Sequence, residues 1–186
     1  MKITIVTSNK NKFQEISHVL AHSGIKCEMK NLQMQELGQT LEEVAASKAR
    51  QAYSKFKRPV IVDDTGIFFK AYRNFPGMYA KRIYLSIGLG GLLKLLEGKT
   101  RSAYFKTTVA YCNGRQVHVF CGELHGKIEK RIHAKSPRKK FPYERIFIPN
   151  GSGVPLSMLS LDKKAKISHR AIATQKLARW LKRQIR

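Results

Sequence analysis

Apolar residues recur along this chain in short runs whose spacing alternates between that of strands and that of helices. Ile3-Thr4-Ile5-Val6 is a β-branched run, polar Thr7-Ser8-Asn9 follows, and Phe13, Ile16, Val19 and Leu20 then repeat as one face of a helix. The pattern predicts strand, turn and helix. Cys27 to Leu32 is a second candidate strand. Thr40 with Glu43 three residues later has the form of a capping box, which predicts a helix reaching about Phe56, and Pro59 stops its continuation. Val60-Ile61-Val62 reads as a buried strand ended by Asp63-Asp64-Thr65-Gly66. Pro76-Gly77 reads as a turn before a helical stretch from Ala80 to Leu96.

The second half changes character. Ala103 to Cys112 and Arg115 to Gly122 flank Asn113-Gly114, a strong hairpin signal, so an antiparallel ribbon is expected. Ile146-Phe147-Ile148 is a further strand. Ser168 to Ile185 is a last helix, with Ile172, Leu177, Trp180 and Leu181 available to the core. Alternating strands and helices followed by antiparallel strands predict an α/β fold with a mixed parallel and antiparallel sheet, in a single domain over residues 1–186. No internal repeat, low-complexity tract or linker interrupts it. The basic stretch Lys127 to Lys140 reads as a loop or a solvated strand end.

Composition narrows the function classes. A chain of 186 residues, 42% hydrophobic, buries on the order of 70% of its unfolded surface, which argues against disorder and against a disulfide-stapled scaffold. Cys27, Cys112 and Cys121 are odd in number and lack metal-ligand spacing, so free thiols in a reducing compartment are expected. The apolar runs are too short for a signal peptide or a membrane span, and a cytoplasmic location without membrane attachment is the expectation. Lys and Arg number 36 against 12 Asp and Glu, a net charge of +24. Such a surface attracts polyanions, whether nucleic acid, phosphorylated small molecules or anionic lipid.

Three segments carry candidate chemistry. Only three Asp occur in the chain, and Asp63 and Asp64 are adjacent at the end of a predicted strand, where α/β sheets bind ligands. Neighbouring carboxylates there repel unless a cation intervenes, which suggests Mg²⁺; capping a turn or pairing with surplus Lys and Arg is the equal alternative. Thr7, Ser8, Asn9 and Lys12 surround a predicted helix N-terminus, a ready phosphate site, although a plain capped turn reads as well. Lys164 to Arg170 leads into the last helix, where Ser168 can cap and His169 and Arg170 can donate to phosphate or a base edge. Alone, His169 reads better as a structural histidine.

Together these segments resemble the inosine triphosphate pyrophosphatase family, also called the Ham1-like or non-standard purine NTP pyrophosphatases. The opening T-x-N-x-x-K-x-x-E motif is similar to Thr7, Asn9, Lys12 and Glu15. The central [ED]-D-[ST]-G-L motif resembles Asp63-Asp64-Thr65-Gly66-Ile67, with Pro76-Gly77-Met78-Tyr79 after it, and the closing K-x-x-x-S-H-R resembles Lys164 with Ser168-His169-Arg170. The likeness covers nearly the whole chain. It implies an elongated two-lobed mixed α/β fold with a nucleotide cleft between the lobes, usually a homodimer, and Mg²⁺-dependent hydrolysis of dITP, ITP and XTP to monophosphate and pyrophosphate.

The resemblance also implies roles. Asp64 would hold Mg²⁺ or activate the water, with Glu36 and Asp63 as further metal-site candidates. Lys12, Asn9, Lys48 and Lys164 would contact phosphates, Thr7, Ser8 and Thr65 would line the substrate, and His169 and Arg170 would read the base. Catalysis would rest on Asp64, Lys12 and Lys164. Where the family reads F-G-[YW]-D-P, this chain has Phe141-Pro142-Tyr143-Glu144-Arg145. Phe141 and Tyr143 keep rings for a purine, while Glu144 is one methylene longer than Asp and Pro142 stiffens the backbone. Met158 stands where the family commonly has Glu. Two other readings remain: a pyrophosphatase of broader base specificity, and a basic nucleic-acid-binding protein on a lapsed enzyme fold.

Overall fold

A computed structural model describes residues 2–133 and 141–184. Half of the basic stretch Lys127 to Lys140, at 134–140, and Ile185 of the expected last helix lie outside the described residues. The elements in chain order are β1 (Lys2–Val6), α1 (Lys10–Ala21), β2 (Lys26–Lys30), α2 (Leu41–Phe56), β3 (Val60–Phe69), β4 (Pro76–Gly77), α3 (Ala80–Leu95), β5 (Ser102–Cys112), β6 (Val117–Ile128), β7 (Phe147–Pro149), α4 (Leu161–Ile167) and α5 (His169–Gln184). The sheet is mixed, as the pattern predicts: β1 pairs in parallel with β2 and β3, whereas β4 runs antiparallel to β3 and β7 to β6.

The chain divides into two compact units, Met1–Thr65 with Thr107–Glu123 and Ala165–Arg186, and Gly66–Lys106 with Leu124–Lys164. In the first unit the strands run in the order β2-β1-β3-β5-β6. Side chains alternate across a strand, and the two faces have separate cores. Ile3, Ile5, Ile61, Val109 and Tyr111 pack with Ile16 and Leu20 of α1 and Leu177 and Leu181 of α5. Val6, Val60, Val62, Ala110 and Cys112 pack with Ala45, Ala49 and Ala52 of α2. Helices therefore cover both faces. In the second unit Ile67, Phe69, Leu92, Phe105, Tyr143 and Phe147 share one core. There α3 is kinked at Gly88, whose φ of 62° and ψ of −176° are not helical.

Several boundaries differ from the sequence reading. The acids Asp63 and Asp64 do not end β3, which continues to Phe69, because each carboxylate meets a cation of its own. Pro76-Gly77 pairs with the far end of β3, Gly77 opposite Ile67, and so forms a short strand. Ser168 caps the last helix as expected, its backbone carbonyl accepting from Ile172 N and its Oγ from Ala171 N at the start of α5; the short α4 before it is the addition.

Candidate active site

Alternation along β3 sends Asp63 and Asp64 to opposite faces of the sheet, Asp63 with Ile61 toward α1 and α5, Asp64 with Val60 and Val62 toward α2. The expected mutual repulsion is thus absent as a reason for a metal between them. Each acid has a separate role.

Asp63 belongs to a closed layer. Its Oδ2 accepts from Arg170 Nε at 3.1 Å and from Lys12 Nζ at 3.1 Å. Arg170 is 2% exposed and also donates from Nη1 to Glu15 and from Nη2 to Thr65 Oγ1 at 3.2 Å. Thr65 Oγ1 lies 2.6 Å from Thr107 Oγ1. Burial pushes the Asp63 pKa up, but Lys12 and Arg170 outweigh it and hold the carboxyl below the ordinary range. Burial likewise pulls the Arg170 pKa down, and Asp63 and Glu15 reverse the sign and raise it. All three guanidinium nitrogens of Arg170 are engaged within this cluster. These bonds make Arg170 the anchor of the cluster. His169 beside it is buried as well.

Asp64 belongs to an open layer. Lys48 Nζ, on α2, donates to Asp64 Oδ2 at 2.9 Å and to Glu36 Oε1 at 2.8 Å, and Thr65 N donates to Asp64 Oδ1 at 3.1 Å. Side-chain exposure is 19% for Asp64 and 54% for Glu36, against 1% for Asp63. Burial lowers the Lys48 pKa, but Asp64 and Glu36 overcome it and raise it above the ordinary value. Two carboxylates that converge on one point could hold a divalent cation, since Mg²⁺ takes one or two protein carboxylates and completes itself with water and phosphate. Asp63 does not fit that set, because Arg170 and Lys12 already neutralise it. Among the described residues no three His, Cys, Asp or Glu gather into a metal-holding group.

Asn9 is the N-cap of α1, its Oδ1 accepting from Asn11 N at 3.0 Å and Lys12 N at 3.4 Å, while Thr7 Oγ1 accepts from Asn9 N at 3.1 Å. Part of the expected phosphate turn is thus occupied by its own cap, and Ser8 alone of the three is exposed. In the second unit Lys164 is fully buried and its Nζ donates to both oxygens of Glu144, at 2.8 and 3.0 Å. The same ammonium lies 5.1 Å from the centroid of the half-buried Phe141 ring. Tyr143 is 6% exposed in the core, donates to Ala80 O at 2.8 Å, and burial pushes its pKa up.

Residues 3–180 match the model of the Ham1 family. The chain belongs to the Ham1 family. It is 42% identical over 184 residues to a protein of Hyperthermus butylicus named dITP/XTP pyrophosphatase, covering 97% of this chain and 94% of that one. A protein of the same name from Saccharolobus solfataricus is 39% identical over 183 residues, covering 97% and 94%. The solved HAM1 structure from Coxiella burnetii superposes with a TM-score of 0.83 at 24% identity, covering 98% of this chain and 99% of that chain, and shares the fold.

Within this Ham1 chain two positioning residues gain a role that the sequence does not assign them: Glu15, which the sequence places in the opening motif, and Gly122. Glu15 is the only acid of α1, a signal available beforehand, and it holds Arg170 across 155 residues. Gly122 on β6 had no such signal: a Cβ there would lie 2.2 Å from His169 O and 2.6 Å from Ala173 N, so α5 can seat its first turn only over a glycine.

Proposed function

We propose that this chain hydrolyses the non-standard purine nucleoside triphosphates dITP, ITP and XTP to the monophosphate and pyrophosphate, clearing them from the nucleotide pool. The observation that carries the reading is the division of the first unit's charges: Asp63, Glu15 and Arg170 are closed off, while Asp64, Lys48, Glu36 and Lys12 remain within reach of solvent. The names of the Hyperthermus and Saccharolobus relatives support the substrate class. In the reaction a water oxygen bonds to the α-phosphorus as the bond to the bridging oxygen breaks and pyrophosphate leaves. Negative charge builds on the phosphates, so fixed cations are the main requirement. Lys12 and Lys48 supply them, and Asp64, oriented by Thr65 N, accepts the proton of the water. Mg²⁺, held by Asp64 and Glu36, would neutralise further phosphate charge when bound. A cytoplasmic homodimer is part of the same reading; among the described residues no helix is long and apolar enough to cross a membrane.

The test is release of pyrophosphate and monophosphate from dITP, ITP, XTP, GTP and ATP, with and without Mg²⁺, alongside sedimentation of the protein. Turnover confined to the first three, dependent on Mg²⁺, is the expected result. Comparable turnover of GTP or ATP would replace it with the broader pyrophosphatase, a reading motivated by Pro142 and Glu144 in place of the family's Gly and Asp. No turnover of any would overturn the enzymatic reading.

A further inference from the structure

The surplus of cations is not spread without pattern. Three of the twelve acids, Glu15, Asp63 and Glu144, are buried against cations, which leaves the surface poorer still in negative charge. Helix α5 contains no Asp or Glu, and from its middle onward it exposes Lys176, Arg179, Lys182 and Arg183. At about 100° per residue these four fall within an arc about 120° wide, opposite the arc that buries Ala173, Thr174, Leu177, Ala178 and Leu181. Among the described residues no acid forms an ion pair with Arg179, Lys182 or Arg183, and Lys176 donates only to the backbone, at Cys121 O, 2.7 Å away.

The flank of this arc is aromatic. Trp180, the single tryptophan of the chain, is half-buried, with the His118 ring 4.2 Å from it between centroids and Tyr111 and Phe120 behind. Complementing the helix dipole accounts for Lys182 and Arg183 in the last turn, but Lys176 and Arg179 precede it. No exposed large apolar residue lies on α5, as insertion into a bilayer would require.

The geometry points to a nucleic-acid backbone as the partner of this surface: the cationic face of α5, with Trp180 and His118 beside it, binds single-stranded RNA or DNA through its phosphates and accepts a base against the rings. From Lys176 to Arg183 the helix rises about 10 Å, so its four cations can follow a short run of successive phosphates. Cations on one side and stacked rings on the other are the elements of a sequence-tolerant strand-binding surface. The inference is separate from the hydrolytic reading, since none of these side chains belongs to the Asp64 and Lys48 layer.

The experiment titrates a fluorescein-labelled oligouridylate and an oligothymidylate into the full chain between about 50 and 200 mM salt, following anisotropy together with Trp180 emission. The expected result is saturable binding with quenching of Trp180. Replacing Lys176, Arg179, Lys182 and Arg183 by Ala should weaken binding more than tenfold and reduce the slope of log affinity against log salt by about 3, at about 0.7 per cation. Nucleotide hydrolysis should stay at the wild-type value, and the melting temperature should fall by no more than a few degrees, the loss of the dipole-complementing charges of the last turn. A control with Lys70, Lys81, Arg82 and Lys94 replaced by Ala should keep most of the affinity. Equal losses in both variants would mean diffuse attraction and overturn the assignment. Absence of oligonucleotide binding, or binding only to phosphatidylserine vesicles, would overturn it too.

Discussion

Arg170→Met tests whether the closed layer holds the first unit together. The substitution preserves most of the side-chain volume and removes the charge that Asp63 and Glu15 both require. Breaking a buried pair by removal of one partner costs about 3–5 kcal/mol, because the remaining carboxylate charge stays uncompensated in a low-dielectric site. At about 2–4 °C per kcal/mol for a chain of this size, the melting temperature should fall by about 6–20 °C. The pH dependence gives a second, independent sign. In the wild type, Asp63 has a lowered pKa, so its contribution is fully present above the ordinary carboxylate range and constant between neutral pH and about pH 5. In the variant, burial is no longer outweighed by Arg170, and the carboxyl pKa rises. The penalty is then full at neutral pH and is relieved as acid protonates the group, so the gap between the two proteins must narrow as pH falls. Thermal unfolding followed by circular dichroism from neutral pH to about pH 5 measures both. Adding Asp63→Asn to the variant should recover part of the loss, as coupled neighbours do. A drop of less than about 2 °C, or a gap that widens toward acid, would refute the account.

Asp64→Asn should lower turnover of dITP by at least about 10²-fold, the scale of a lost general base, while moving the melting temperature by no more than about 4 °C, since a solvent-reachable pair contributes about 1 kcal/mol or less. Retained turnover, measured as pyrophosphate release, would remove Asp64 from the chemistry. Glu144→Leu leaves the fully buried Lys164 ammonium without its carboxylate and should destabilise by about 3–5 kcal/mol in urea titration, with much of the loss recovered when Lys164→Met is added. Gly122→Ala meets backbone atoms of α5 that no rotamer change can clear, and should cost about 1–3 kcal/mol in the same titration; an unshifted midpoint would mean that α5 tolerates displacement.

Legibility in the sequence followed the range of the interactions. Helix α2 could be read at both ends, because Thr40 Oγ1 accepts from Glu43 N at 3.2 Å and the breaker Pro59 is close by. The strand at Val60 to Val62 is equally plain, but its end is not: Asp63-Asp64-Thr65-Gly66 has the composition of a turn, and only Arg170, Lys12 and Lys48, distant in sequence, make it strand. The candidate site was legible as a set of segments through their resemblance to a family. The division of labour within it was not, since Glu15 with Arg170 and Lys164 with Glu144 are tertiary pairings that spacing cannot reveal. Tyr143 illustrates the same limit, as an aromatic beside a presumed ligand segment reads the same whether it faces a ligand or a core.

The opposed side chains of Asp63 and Asp64 make the length of the chain before them a protected quantity. Deleting or inserting one residue between Pro59 and Asp63 would turn every side chain of that stretch to the other face. It would carry the acid now enclosed by Arg170 toward Lys48 and the acid now open to Lys48 toward the interior, with Ile61 exchanged for its neighbours at the same time. Substitutions of one apolar residue for another at Val60, Ile61 and Val62 preserve that phase and should be absorbed. An indel of a single codon at the same place should not be, and libraries that vary length and identity separately should find this stretch permissive to one and closed to the other.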